Sequence, residues 1–275
     1  AGYCNCIQTL TLFSLGVPVT LLGDHKQLPP VCEVDSDDLK QTIGTEDHGY
    51  DYLWDLSALY VDGLFDETLD DLANRYREEE PGFKFTSKAR LFTTHRFGQN
   101  LADAIGKTVY GMDIVSGAID PLNIEIIDAH IDRFPVEGGK VRRKNVSEAR
   151  KVVEYVRNNH LDPDSYIILT PYREQFYCLM SEGRGIIPRD NISTIHRAQG
   201  REWDTVIISV CDGSACTEEK PPRFTSTAMK GSIGTKVINT AVSRAKSNLV
   251  VICDNDFWRE KEGELLSALI ICKTR

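Results

Sequence analysis

The sequence predicts an α/β protein built on a parallel β-sheet that is covered by helices on both faces. Three short stretches are continuous runs of apolar and β-branched residues, namely Tyr166–Thr170, Val206–Val210 and Leu249–Cys253. Continuous apolar runs of this length are typical of strands buried on both faces, whereas half-exposed strands alternate apolar and polar residues. Stretches with apolar residues at helical spacing separate these runs, and parallel strands require long connections of this kind.

Strands and helices alternate from Ala89 to the end of the chain. The predicted strands are Ala89–Phe92, Ile124–Ala129, Tyr166–Thr170, Ile192–Ile195, Val206–Val210 and Leu249–Cys253. The predicted helices are Gly98–Val109, Ser147–Asn158 with Ser147 as N-cap, Glu174–Glu182, Gly231–Ala245, Phe257–Lys261 and Glu264–Cys272. Repeated βα units of this kind indicate one parallel sheet.

The first third of the chain is less regular. Cys6–Leu15 is predicted to form a helix ended by Gly16, and Val17–Leu22 a strand that leads into a turn at Gly23. Residues 33–88 carry acidic runs beside apolar positions at helical spacing, which favours one or two amphipathic helices with solvated acidic faces. The predicted organisation is therefore three regions, 1–32, 33–88 and 89–275.

Composition places the chain among globular proteins. Of its 275 residues, 41% are hydrophobic and 27% are charged, and no apolar run approaches the ~20 residues of a membrane span. The net charge of −9 argues against a uniformly basic surface for nucleic acid, but it leaves room for a local basic groove. The N-terminus has no signal-peptide pattern, and the eight cysteines lack zinc spacing. We therefore expect a cytoplasmic protein with reduced thiols, no metal site of its own and no membrane partner.

Four polar stretches carry a more specific signal. They are Gly23–Pro30 (GDHKQLPP), Thr94–Phe97 (THRF), Gln199–Glu202 (QGRE) and Asn239–Ala245 (NTAVSRA). Their order and spacing resemble the later motifs of superfamily-1 helicases, and the similarity is greatest to the branch that contains the nonsense-mediated-decay helicase.

The resemblance implies a RecA-like P-loop NTPase fold in which residues 89–275 form the second RecA-like domain. Residues 1–32 would then be the end of the first RecA-like domain, and residues 33–88 a helical linker or insertion. Ala1 and Gly2 resemble the last two residues of the family's metal-binding motif. The resemblance therefore implies that the phosphate loop and most ligands of an ATP-bound Mg²⁺ lie upstream in a longer parent chain.

The family's catalytic roles fall on three residues. Gln27 matches the glutamine that senses the γ-phosphate of ATP, and Arg96 and Arg244 match two arginine fingers. Guanidinium suits this role because its charge is permanent and its fork is planar. The alternatives are a turn residue for Gln27, supported by the prolines that follow it, and an ordinary salt bridge for either arginine.

Further residues are implied to bind the nucleotide. They are Asp24, His95, Gly200 and Glu202, of which Glu202 matches a ribose contact and Gly200 lets the backbone approach a phosphate. His95 replaces the tyrosine that stacks on the base in relatives, so base contact there is expected to be weaker.

Three residues are candidates for contact with a nucleic-acid strand, namely Thr170, Thr194 and His196. Hydroxyl and imidazole donors position a phosphate backbone without reading its sequence. For Thr170, an ordinary β-branched strand residue is an equal alternative. Most of the polar stretches follow predicted strands, so we expect their ligands outside the carboxyl ends of the sheet. Arg244 differs because it lies near the end of a helix.

The resemblance implies an ATP-dependent helicase that moves along single-stranded DNA or RNA, with a lean towards 5′ to 3′ movement. The chain contains no GxxxxGKS or GxxxxGKT phosphate loop, so by itself it is expected to be inactive as an ATPase. The alternatives are a non-catalytic module that binds nucleotide or nucleic acid, and an interaction module that uses the acidic region 33–88.

Overall fold

The computed structural model describes residues 11–12, 14–17, 22–29, 91–230 and 232–273. The chain divides into two units, Ala1–Leu91 and Phe92–Arg275, which are considered separately. Several predictions lie wholly or largely outside the described residues: the helix Cys6–Leu15, the strand Val17–Leu22 and the helices in 33–88.

The second unit contains nine strands and six α-helices among its described residues. The strands are β1 (Thr93–Thr94), β2 (Val115–Ser116), β3 (Asn123–Asp128), β4 (Val136–Glu137), β5 (Lys140–Val141), β6 (Tyr166–Thr170), β7 (Ile192–Thr194), β8 (Trp203–Ser209) and β9 (Ala245–Cys253). The helices are α1 (Gln99–Ile105), α2 (Val146–Asn158), α3 (Arg173–Glu182), α4 (Gly234–Val242), α5 (Asn255–Arg259) and α6 (Leu265–Lys273).

Five of these strands form one sheet in the order β3-β9-β8-β6-β7, and every pair is parallel. In the register, Ile168 on β6 lies between Ile192 on β7 and Ile207 on β8, and Ile207 pairs in turn with Val250 on β9. The predicted parallel sheet is therefore confirmed, and its three continuous apolar runs are its three central strands. Ile168 and Ile207 are fully buried and Val250 nearly so, as strands covered on both faces should be.

The apolar faces of α2 and α3 close one side of the sheet. Val152 and Leu179 lie in one core cluster with Ile168, Ile207 and Val250. Each apolar side chain buried in such a core contributes roughly 1.5–3 kcal/mol relative to its exposed state. No helix among the described residues is long and apolar enough to cross a bilayer.

The start of α2 differs from the prediction. Asn145, not Ser147, is the N-cap, because its side chain accepts a hydrogen bond of 3.0 Å from the backbone N–H of Glu148. The amide of Asn145 also donates to the carbonyl of Ala129, at 3.1 Å. This second bond ties the cap to the residue that follows β3, so tertiary contacts favour Asn145 as the N-cap.

Three other predicted elements also differ in their boundaries from the observed ones. The predicted strand Ala89–Phe92 is wrong in its described part, because the strand is β1 at Thr93–Thr94. Among the described residues, β1 pairs only with β2, outside the main sheet. Strand β7 ends at Thr194, since the fully buried Ile195 begins a 3₁₀ turn. The predicted helix Gly231–Ala245 is shortened to α4, because Ala245 already belongs to β9.

Candidate functional site

Arg96, Glu202 and Ser243 come from three distant stretches and meet at the amino ends of β8 and β9. The Nη2 atom of Arg96 lies 2.9 Å from Oε1 of Glu202, and its Nη1 donates to the carbonyl of Ser243 at 3.2 Å. Arg244 follows directly, and its carbonyl accepts a hydrogen bond of 3.1 Å from the N–H of Trp203. We refer to Arg96, Glu202, Ser243 and Arg244 as the arginine cluster.

The two arginines of the cluster are held differently. Arg96 and Glu202 keep 33% and 34% of their side chains exposed, and ion pairs this open contribute only ~0–1 kcal/mol. Such a pair orients the guanidinium but is easily exchanged for another anion. Arg244 is only 4% exposed, and its Nε donates to the carbonyl of Thr240, one turn earlier in α4, at 3.0 Å. The backbone therefore fixes the position of Arg244.

Gly200 and His95 lie close to the cluster in sequence. Gly200 is exposed and has a φ of +81°, a left-handed conformation that glycine adopts without steric cost. His95 is exposed, and its ring packs so closely on Gly117 that a Cβ at residue 117 would lie 2.4 Å from Nδ1 of His95. The contacts predicted for Gly200 and His95 with a nucleotide stay predictions.

The candidates for nucleic-acid contact lie at the carboxyl ends of β6 and β7. Thr170 and Thr194 are direct partners in the ladder, and His196 follows in the 3₁₀ turn. Thr170 is fully buried, and its Oγ1 has no hydrogen-bond partner among the described residues. A buried hydroxyl without a partner costs ~1–3 kcal/mol, so it calls for an explanation. Burial lowers the pKa of His196, so its ring is neutral at pH 7.

The arginine cluster and the candidates for nucleic-acid contact lie at opposite ends of the strands. The cluster is at the amino ends, and Thr170, Thr194 and His196 are at the carboxyl ends. The segment that links them, residues 195–202, leaves the carboxyl end of β7 and returns to the amino end of β8. The expectation that these polar stretches lie at carboxyl ends therefore holds for Thr170, Thr194 and His196 but is wrong for Glu202. The reason is that β7 and β8 are parallel, so the chain must run back along the sheet before β8 can begin.

Asp24 and Gln27 belong to the first unit and form a tight turn. The carboxylate of Asp24 accepts from the N–H of Lys26 at 2.9 Å and from Nε2 of Gln27 at 2.8 Å. The N–H of Gln27 also donates to the carbonyl of Asp24 at 3.1 Å. An aspartate that bonds the backbone two residues ahead stabilises such a turn, and here it also orients the amide of Gln27.

A buried cluster at the carboxyl ends of β6 and β8 was not foreseen. Asp212 has no exposed surface and accepts hydrogen bonds from Arg143 at 2.9 Å, from Thr225 at 2.6 Å and from the hydroxyl of Tyr172. Arg143 also donates to the hydroxyl of Tyr172 at 2.7 Å and to the carbonyl of Pro221 at 3.0 Å. We refer to Asp212, Arg143, Tyr172 and Thr225 as the Asp212 hub.

Electrostatics in the Asp212 hub are balanced by Arg143. Burial raises the pKa of Asp212, and the adjacent guanidinium opposes that rise. The signal in the sequence was a charged residue two positions beyond the apolar run Val206–Val210. No local pattern indicates its partner, because Arg143 lies 69 residues earlier.

Glu148 is a second buried carboxylate that the sequence did not reveal. It is fully buried, and its oxygens accept from the N–H of Cys211 at 2.8 and 2.9 Å and from the hydroxyl of Ser209 at 2.6 Å. Burial raises the pKa of Glu148 well above its usual value. These bonds fix Cys211, which has a left-handed φ of +71° although it is not a glycine. Glu148 thus fixes the backbone from which Asp212 enters its hub.

The contacts of His130 indicate that the stability of the folded protein depends on pH. Its Nδ1 lies 2.9 Å from Asp254 and its Nε2 lies 3.0 Å from Asp132, and the hydrogen bonds to Asp132 and then Asp254 raise the pKa of His130. A histidine whose pKa is higher in the folded state stabilises the protein below its unfolded pKa of ~6.5. This stabilisation is lost as the pH rises through the folded pKa.

We therefore expect His130→Gln to flatten the decline in unfolding free energy between about pH 6 and pH 8. Urea unfolding across that range measures the decline, and an NMR titration of His130 locates its pKa. An unchanged pH profile in the variant would show that the two contacts contribute nothing.

The described residues contain free thiols but no cluster of metal ligands. Five cysteines are unpaired: Cys178, Cys211, Cys216, Cys253 and Cys272. No group of three or more His, Cys, Asp or Glu side chains in the described part of the chain could hold a metal ion.

Comparison with known proteins identifies relatives of this chain. Residues 118–256, just over half of the chain, match the AAA_12 family model, an AAA domain. The mouse 3′-5′ exoribonuclease HELZ2 is 26% identical over 86% of this chain, which spans 8% of that protein. An uncharacterized ATP-dependent helicase of Methanocaldococcus jannaschii is 26% identical over 89% of this chain, which spans 33% of that protein.

Among solved structures, the PRRSV helicase is 20% identical, with a TM-score of 0.42 over 92% of this chain and 33% of the viral chain. The chain thus spans a third or less of the length of the two relatives in mouse and M. jannaschii. The family match, together with the helicase of M. jannaschii, confirms the resemblance carried by the four motifs. From the extent of the family match, the chain belongs to the AAA_12 family of AAA domains.

Proposed function

We propose that this chain supplies the second motor domain of an ATP-dependent superfamily-1 helicase that moves along single-stranded DNA or RNA. The observation that carries the proposal is the arginine cluster, in which three of the four helicase-like stretches contribute contacting residues. Residues 147 positions apart in the sequence contact each other there. The convergence supports one shared site over three unrelated surface features.

In this proposal, Arg96 and Arg244 act on the γ-phosphoryl group of ATP. Catalysis of phosphoryl transfer depends on positioning and on cations that neutralise developing charge. The exposed pair between Arg96 and Glu202 could be exchanged at low cost, which would free the fork of Arg96 for a phosphate and the carboxylate of Glu202 for a ribose hydroxyl. Within the first unit, the amide of Gln27 is oriented by Asp24, and the motif resemblance supports a role for Gln27 in sensing the γ-phosphate.

ATP is proposed to act with Mg²⁺, the usual partner of nucleotide phosphates. The described residues that fit the nucleotide are the donors of the arginine cluster. We assign no Mg²⁺ ligand to them, because the described residues offer no group of ligands that could hold a metal. The catalytic metal would be bound by the first RecA-like domain of a longer parent chain.

The second proposed contact is with a single strand at Thr170, Thr194 and His196. The unpartnered hydroxyl of Thr170 supports this, since a phosphate oxygen would supply the missing acceptor once the residues that cover this buried hydroxyl move aside. Thr194 lies beside it in the ladder, and the neutral ring of His196 can donate one N–H. The segment 195–202 joins the carboxyl end of β7 to the arginine cluster. A shift of that segment would therefore couple binding of the nucleic acid to binding of the nucleotide.

The test uses the chain as it stands and measures fluorescence anisotropy of labelled single-stranded DNA and RNA. We expect binding that weakens with salt, and we expect Thr170→Val to reduce affinity about tenfold, the equivalent of ~1.4 kcal/mol. Because the hydroxyl has no partner among the described residues, Val should leave stability unchanged or raise it by ~1 kcal/mol.

Thr205→Val is the matched control. Thr205 is also buried, but its hydroxyl accepts a hydrogen bond of 3.2 Å from Asn248, so this change should lower stability and leave affinity unchanged. Absence of binding to either strand would contradict the proposed function. If Thr170→Val binds single-stranded DNA and RNA with normal affinity, Thr170 is an ordinary strand residue.

A further inference from the structure

The connection between β8 and α4 is unusually long for a compact domain. Residues 210–230 contain no helix or strand. Connections of more than about 12–15 residues without secondary structure are uncommon and are often functional. The β8–α4 loop therefore requires an explanation that the helicase-like motifs do not provide.

Buried polar groups hold the main chain of this loop in place. On one side, Thr225 donates to Asp212 at 2.6 Å, and Arg143 donates to the carbonyl of Pro221 at 3.0 Å. On the other side, Glu264 is only 5% exposed and accepts from the hydroxyl of Thr227 at 2.9 Å. A loop fixed at both points presents its side chains from a rigid frame, which lowers the entropy lost when they bind a partner.

The loop lies against the strand end that carries Thr170. The ring of Phe224 packs edge-on against the ring of Tyr172, with centroids 5.4 Å apart and an interplanar angle of 82°. Tyr172 is two residues beyond Thr170, at the carboxyl end of β6. Arg223 precedes Phe224 and Arg173 follows Tyr172, so one arginine is attached to each partner of the ring pair.

Both arginines are exposed. Neither guanidinium forms a hydrogen bond or ion pair with a residue that the structure describes. The backbone of Arg223 is nevertheless fixed, because its carbonyl accepts from the hydroxyl of Ser232 at 2.7 Å and from the N–H of Ile233 at 3.2 Å. The contact between their sequence neighbours Tyr172 and Phe224 brings the segments that carry both arginines to the carboxyl end of β6, in a chain whose net charge is −9.

We propose that Arg173 and Arg223 bind two phosphates of a single-stranded nucleic acid, one on each side of the Tyr172–Phe224 ring pair. The proposal rests on the proposed function and extends it from the polar hydroxyl of Thr170 to two charged contacts. The planar guanidinium fork matches the geometry of a phosphate, and such contacts hold the strand without reading its sequence.

The experiment measures binding of a labelled single-stranded oligonucleotide by fluorescence anisotropy between about 50 and 200 mM salt. Each phosphate contact contributes about 0.7 to the slope of log K against log salt for single strands. We therefore expect Arg173→Ala and Arg223→Ala each to reduce the slope by about 0.7, and the double variant by about 1.4. Low-salt affinity should fall roughly threefold to tenfold for each. Arg223→Lys should retain the slope, and Arg223→Glu should weaken binding more than Arg223→Ala.

Arg157→Ala is the matched control. Arg157 is exposed in the last turn of α2, which lies towards the amino ends of the strands and away from Arg173 and Arg223. Its loss should therefore change neither the salt slope nor the affinity. If the unchanged chain binds and the Arg173 and Arg223 variants behave like Arg157→Ala, the inference is overturned and the proposed function stands. If the unchanged chain binds no strand, both are overturned. A lowered urea midpoint in Arg173→Ala or Arg223→Ala would also overturn it, in favour of a structural role.

Discussion

Replacing Arg143 by alanine is expected to lower the free energy of unfolding by about 3–5 kcal/mol. Arg143 is 15% exposed, and its ion-pair partner Asp212 has no exposed surface. Removing the cation leaves a buried carboxylate without a countercharge, and the cost is that of an uncompensated charge, not of the lost contact alone. The guanidinium also stacks on the ring of Tyr172, with its Cζ 4.8 Å from the centroid.

The pH dependence of this loss has a definite sign. Burial already raises the pKa of Asp212, and Arg143 opposes that rise, so removing Arg143 raises the pKa further. A carboxyl whose pKa is higher in the folded state destabilises the protein above that pKa and is relieved as the pH falls. The penalty in Arg143→Ala should therefore be smaller at pH 5 than at pH 8.

Urea unfolding measures the effect, and the neighbouring residue is the control. Arg142 pairs with Glu174 at 3.0 Å, but the two side chains are 39% and 37% exposed. Loss of so open a pair should cost about 0–1 kcal/mol. A penalty for Arg143→Ala no greater than that for Arg142→Ala would contradict a buried hub. Asp212→Asn in the Arg143→Ala background should recover part of the loss, because no buried charge then remains.

The contrast between the sheet and the Asp212 hub shows what the sequence can predict. The strands β6, β8 and β9 were predictable because each is a local run of apolar residues long enough for burial on both faces. The hub depends on Arg143 and Asp212, which meet only after the sheet has formed. The N-cap of α2 shows the same limit, because Asn and Ser have similar local preferences and long-range bonds of Asn145 decide between them.

The candidate site was predictable in composition but not in arrangement. The motif resemblance selected Arg96, Glu202 and Arg244, and these lie together. The prediction that Glu202 lies at the carboxyl end of a strand was wrong, because residues 195–202 run back along the sheet without a helix of the usual length. Arg173 and Arg223 were not among the predicted site residues, and the ring pair that connects the segments carrying them is a tertiary contact.

If the chain acts as the second motor domain proposed above, Arg244→Ala is expected to reduce kcat for ATP hydrolysis by roughly 10³-fold or more in a protein that contains both motor domains. An arginine finger acts on charge that develops as the γ-phosphoryl group is transferred, so its loss should affect kcat far more than ATP affinity. Lys should rescue poorly, since a point charge on a different stem cannot reproduce the planar fork.

A structural role for Arg244 must be separated from this catalytic one. The side chain is 4% exposed and donates to the carbonyl of Thr240, so its removal should also lower stability, by roughly one to three kcal/mol. Loss of folded protein alone would reduce the apparent kcat and the active-site concentration together. Titration of active sites corrects for this, and thermal melting on the same samples measures the structural part.

Lys246→Ala provides the matched control, because Lys246 is an exposed cation near the amino end of β9, two residues beyond Arg244. It removes the same charge from the same region without touching the arginine cluster, so kcat and melting temperature should both be unchanged. A normal kcat with a lowered melting temperature in Arg244→Ala would assign Arg244 to the fold. A large loss of kcat that persists after correction, with ATP affinity retained, is the result that a finger requires, because only a group whose contact strengthens in the transition state lowers kcat without weakening the ground state.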